Sequence, residues 1–84
     1  PEQIVIYPNP FNGVFQLKYV RTDAVPDNRS IDIYTSYGSL VKTIDLSSDP
    51  QSVITVDLKG FSQGTYFLLY RKDEKTFLHK LINF

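Results

Sequence analysis

Apolar and polar side chains alternate through this chain in short runs, and a period of two commits it to extended strands. Val14-Phe15-Gln16-Leu17-Lys18-Tyr19-Val20 is the clearest run: Phe15, Leu17 and Tyr19 fall on one face, Gln16 and Lys18 on the other. Ser30-Ile31-Asp32-Ile33-Tyr34 repeats the pattern, with Ile31 and Ile33 in phase. In Leu40 to Leu46, the residues Leu40, Ile44 and Leu46 are expected to point inward together. In Val53 to Leu58, the inward set is Ile54, Val56 and Leu58. Thr65 to Lys72 is a longer apolar run with Tyr66, Leu68 and Tyr70 in one phase. The β-branched run Ile4 to Tyr7 opens the chain and is expected to stop at Pro8; Phe77 to Phe84 closes it.

Turn chemistry separates the runs. Pro26-Asp27-Asn28 lies in a polar stretch from Arg21 to Arg29, and Ser36-Tyr37-Gly38-Ser39 makes a short hairpin connection. Ser47-Ser48-Asp49-Pro50 and Asp73-Glu74-Lys75 are further breaks. Lys59 to Gly64 is a loop in which Lys59 to Gln63 has room for one helical turn. Seven strand-like runs at spacings of about 8–12 residues predict an all-β fold, an immunoglobulin-like antiparallel β-sandwich. The last run is ambiguous. Leu78, Lys80 and Ile82 share one phase and Phe77, His79 and Leu81 the other, so both faces carry apolar residues. Either both are covered or one is a binding surface.

Composition narrows the function classes. An 84-residue chain makes one domain. A domain of that size buries only about 60–65% of its unfolded surface. Six Phe and six Tyr make up for this, since each buries a large area. There is no Cys, so disulfides, thiolate metal sites and Cys nucleophiles are excluded. Nine Lys and Arg balance nine Asp and Glu, whereas a nucleic-acid binder carries a basic excess. No apolar stretch approaches the roughly 20 residues of a membrane-spanning helix.

Catalytic chemistry is expected to be absent, and so are cofactors and metals. His79 is the single His. One His without Cys does not make a usual zinc site, and no Gly-x-Ser-x-Gly elbow accompanies it. Asp45, Asp49, Asp57, Asp73 and Glu74 are scattered over separate turns and strands, with no calcium-loop spacing. They read as a solvated surface.

Two local motifs stand out. In Pro8-Asn9-Pro10-Phe11-Asn12-Gly13 two prolines fix φ and remove two donors. Asn9 and Asn12 are suited to bonding their own backbone, and Gly13 tolerates positive φ. A rigid corner between the first two strands follows. In Gly64-Thr65-Tyr66 the glycine admits the chain into a strand, and Tyr66 is expected to be buried with its hydroxyl on nearby backbone. Lys80, among apolar neighbours, reads as an edge-strand Lys that blocks aggregation or as a charge offered to an acidic partner.

Taken in order, these pieces resemble the C-terminal sorting domain of type IX secretion system cargo proteins. The ordered set is Pro8-Asn9-Pro10-x-x-Gly13, Phe15-Gln16-Leu17, Ile31-Asp32-Ile33-Tyr34, Gly38-Ser39-Leu40-Val41, Phe61 to Tyr66 and Lys80-Leu81-Ile82. It covers nearly the whole chain. Phe61 stands where Leu is more usual, and Asn83-Phe84 replaces a frequent basic ending.

The resemblance implies that residues 1–84 are a single sorting domain of a larger exported protein. Such a monomeric module does no chemistry. It is read by outer-membrane type IX translocon components while the protein is in the periplasm. A sortase-like cysteine protease then removes it, and the cargo reaches the cell surface or the medium. The chain opens at Pro1 rather than Met and shows no leader pattern, so an export signal is expected upstream. The implied recognition residues are Gly64, Tyr66, Lys80, Leu81 and Ile82, with Pro8, Asn9, Pro10 and Gly13 as the motif turn. The competing class is an accessory carbohydrate-binding sandwich module of a secreted enzyme, suggested by twelve aromatics and fold analogy. It requires several of Tyr7, Tyr19, Tyr34, Tyr66 and Tyr70 to lie coplanar on an exposed face.

Overall fold

The computed structural model describes residues 4–19, 29–46, 53–72 and 74–84. The seven strands are β1 (Ile4–Asn12), β2 (Val14–Tyr19), β3 (Arg29–Thr35), β4 (Leu40–Asp45), β5 (Val53–Asp57), β6 (Gly64–Lys72) and β7 (Lys75–Asn83). They form two antiparallel sheets, β1-β2-β5 and β4-β3-β6-β7, packed as a β-sandwich. The arrangement is compatible with the immunoglobulin-like class. The sheets are joined at one point, a parallel pair between Phe11 and Asn83.

Alternation selects the core. Phe15, Leu17 and Tyr19 of β2 are wholly buried, as are Ile31 and Ile33 of β3 and Val56 and Leu58 at β5. With Ile31 and Ile33, Tyr66, Leu68 and Tyr70 of β6 and Leu81 of β7 form the inner face of one sheet, opposite Phe15, Leu17, Tyr19, Val56 and Leu58 from the other. Full burial of such a side chain is worth about 1.5–3 kcal/mol. Ile54 is only partly covered, because β5 is the outer strand of its sheet. Arg29 is buried too, its guanidinium 5.8 Å from the Tyr19 ring centroid and Nη1 donating to the Tyr70 hydroxyl at 3.3 Å. It opens β3 rather than ending a polar loop.

Three expectations are corrected. First, β1 continues through Pro8 and Pro10 to Asn12. Pairing with β2 breaks between Tyr7 and Asn12, and no ladder N–H is required of the prolines there. Across that gap β1 leaves β2 and reaches β7 at Phe11, so the corner joins sheets rather than strands. Second, Leu40 is 57% exposed. Ile33 pairs with Lys42 and Tyr34 with Leu40, so Val41 is an extra residue. This bulge turns Val41 toward the core and Leu40 out. Third, Lys59 to Gln63 forms no helical turn. Asp57 Oδ1 accepts the Lys59 N–H at 2.8 Å, and the Phe61 N–H bonds Leu58 O at 3.1 Å. The breaks at Pro26 to Asn28 and Ser47 to Pro50, with Asp73, lie outside the described residues.

Candidate functional site: the terminal strand and its corner

The two sequence motifs meet. The Asn9 side-chain amide lies against β7, with Nδ2 donating to Lys80 O at 3.0 Å and Oδ1 accepting the Ile82 N–H at 3.2 Å. Asn9 therefore bonds remote backbone, not its own, and acts as a surrogate peptide group on the edge of the strand. Four residues on, the Gly13 N–H donates to Asn83 Oδ1 at 3.0 Å. The Phe84 N–H donates to Phe11 O at 2.9 Å, and the Leu58 N–H to Gly13 O at 2.7 Å. Gly13 has φ of +78°, and a Cβ there would sit 2.9 Å from Lys59 Cγ. Glycine is required on both counts.

The loop before β6 joins the same cluster. Ser62 O accepts from the Tyr66 hydroxyl and, at 3.4 Å, from Asn83 Nδ2. Tyr66 is 2% exposed, so its role is the buried, backbone-bonded one expected of it. Gly64 lies open on the surface with φ of +141°, a conformation that favours glycine. Leu81 is wholly buried in the core, whereas Lys80 and Ile82 on either side of it are exposed. Pro8, Asn9 and Pro10 are exposed and Gly13 is buried. The predicted recognition set thus splits into surface residues (Gly64, Lys80, Ile82) and core residues (Tyr66, Leu81). Asn83 and Ser62 join the cluster without any local motif that marks them. The burial phase of Leu81 continues to position 83, and a polar residue there was the available signal.

The ambiguity of β7 is resolved. Phe77, His79 and Leu81 face inward; Leu78 and Ile82 face solvent at 62% and 40% exposure. On that outer face Leu78 pairs with Leu69, Lys80 with Phe67 and Ile82 with Thr65. Farther along, Asp32 accepts from Thr43 Oγ1 at 3.0 Å and pairs with Arg71 at 3.4 Å. Partial burial, which disfavours the charged form, lowers the His79 pKa from 6.5.

Among the described residues, the tyrosines do not form a coplanar exposed carbohydrate platform. Tyr19, Tyr66 and Tyr70 are core residues, and Tyr34 is partly covered. Tyr7 on β1 and Tyr37 in the β3–β4 turn are exposed but belong to different sheets. A cleft between Thr35–Tyr37 and Ser62–Tyr66 holds about 50 Å³, against about 300–1,000 Å³ for a usual small-molecule site. No described helix is long and apolar enough to cross a membrane.

No curated protein matches the chain. A family model described as the secretion system C-terminal sorting domain matches residues 5–83, which takes in the corner, every strand and the Asn83 lock. The chain belongs to that family, and it is accordingly a C-terminal sorting signal for type IX secretion that interacts with the type IX machinery and is carried by a cell-surface or extracellular protein.

Proposed function

We propose that residues 1–84 work as one non-catalytic unit whose readable part is β7, held in place by the corner before β2. The parent protein crosses the inner membrane by an upstream signal peptide, and the folded domain meets the outer-membrane translocon from the periplasmic side. A sortase-like cysteine protease then cuts upstream of the domain, and the cargo is released or attached to surface lipopolysaccharide. One observation carries this reading. Lys80 and Ile82 are exposed on a strand whose backbone is bonded to Asn9 and whose Leu81 and Asn83 are buried. A surface held by these three residues is presented in one geometry, as recognition requires.

Portability is the test. The domain is fused to the C-terminus of an unrelated periplasmic reporter in a type IX-competent bacterium. The reporter should appear on the surface or in the medium. A reporter held in the periplasm with its domain folded and intact would sink the proposal.

A further inference from the structure

We infer that the open flank of β7 between Thr76 and Lys80 accepts an added β-strand, an extended segment of the sorting machinery that carries an apolar and an acidic side chain two residues apart on one face. The inference rests on the sorting reading and names the chemistry of the partner.

Hydrogen-bond parity identifies the open groups. In a strand the N–H and C=O of one residue point to the same side, and neighbours alternate. Ile82 N–H and Lys80 O point to Asn9, and Phe84 N–H points to Phe11. Even-numbered residues of β7 therefore face away from β6. β1 pairs with β7 only at Asn83, so the N–H and C=O of Thr76 and Leu78 and the N–H of Lys80 meet no described residue. The Asn9 amide occupies the next position along the same edge. This edge already binds an amide in the manner of a neighbouring strand, and Asn9 sets the register at which an added strand must end.

Side chains along the flank define the occupant. Leu78 is 62% exposed and calls for an apolar neighbour. Exposed Lys75 and Lys80 bracket the open stretch, with Glu74 beyond its outer end. A carboxylate beside Lys80 completes the match. On the inner side Phe77 and His79 are partly covered and offer a mainly apolar rim. Main-chain bonds supply affinity in this mode and the alternating side chains supply selectivity.

The experiment uses the reporter fusion with two variants. Leu78→Pro removes an outward N–H that β6 does not use and places a ring in the path of an added strand; proline is tolerated at such edge positions. Leu78→Ala keeps the N–H and removes only the side chain. Loss of a main-chain bond is expected to lower surface delivery about tenfold or more in Leu78→Pro. Leu78→Ala should lose at most about threefold, and both should keep the wild-type fold by circular dichroism. Should Leu78→Pro fail to fold, Thr76→Pro, which removes another of the outward N–H groups, takes its place. Full delivery by a folded proline variant overturns the inference. So does an alanine variant as poor as the proline one, which would place recognition on the side-chain face. Sedimentation of the wild-type domain as a dimer that the proline abolishes would make the occupant a second copy, again overturning it. Wild-type retention in the periplasm would instead remove the sorting reading itself.

Discussion

Asn83 Oδ1 holds the Gly13 N–H at 3.0 Å across 70 positions of sequence, and this buried bond locks the last strand to the corner that begins the sandwich. Asn83 is 4% exposed and Gly13 is buried, so the Gly13 N–H has no ready alternative in water. Asn83→Ala leaves a buried donor unmet and should cost about 1–3 kcal/mol. In a domain of this size each kcal/mol shifts the melting temperature by roughly 4–8 °C. A thermal melt that moves by less than a degree would show that water satisfies Gly13.

Gly13→Ala tests conformation and contact together. Positive φ penalises any Cβ, by roughly 1–2 kcal/mol, and Lys59 Cγ adds a steric part. Pairing it with Lys59→Ala, which deletes Cγ, should recover the steric part and leave the φ cost. Full recovery in the double variant would show that the backbone at residue 13 relaxes freely.

Lys80 and Leu81 should separate signal from stability. Lys80→Ala removes an exposed ammonium and keeps the carbonyl that Asn9 holds, so stability should change by less than about 0.5–1 kcal/mol while export falls in part. Leu81→Ala opens a cavity at a wholly buried site and should cost about 2–5 kcal/mol, taking export down with the fold. Parallel loss of export and melting temperature in Lys80→Ala would make Lys80 structural. Unchanged values for both would move recognition to the backbone edge or to the Gly64 entry.

His79 gives the domain an acid sensitivity of known sign. Its folded-state pKa lies below 6.5, because it is half covered opposite Leu68. Below pH 6.5 the unfolded chain takes up the proton more readily than the folded one. The stability contribution is therefore complete above 6.5, declines as pH falls toward the folded pKa and is constant beneath it. Denaturant melts between pH 7 and 5 should show a smaller decline in His79→Gln than in the wild type. Identical slopes would indicate that His79 titrates as it does in water.

Alternation was enough to assign the sandwich and most of its core, because the two faces of a strand meet different solvents and a one-residue error would place Leu17 or Ile33 in water. It failed at Leu40, where the bulge at Val41 reverses the phase. Nothing in Leu40-Val41-Lys42 marks that residue as extra, since both phases carry an apolar side chain. The first strand runs past Pro8 for a related reason. Proline ends a strand only where its missing N–H would have been used, and the break in β1–β2 pairing leaves that position without a demand.

Local chemistry alone thus established short strands, turns, absent thiols, balanced charge and a rigid Pro8–Pro10 corner. Partnership across the sandwich was decided only by the folded chain. Asn9 could bond its own backbone as readily as a distant one, and only the path of β1 from one sheet to the other brings it to Lys80 and Ile82. Equally, residue type could not divide Lys80-Leu81-Ile82 into one buried and two exposed residues, because apolar side chains occupy both phases of β7. The division follows from which face of β7 turns toward β2 and β5. That orientation is held by long-range bonds, Asn83 to Gly13 and Phe84 to Phe11, whose partners lie at the opposite end of the chain.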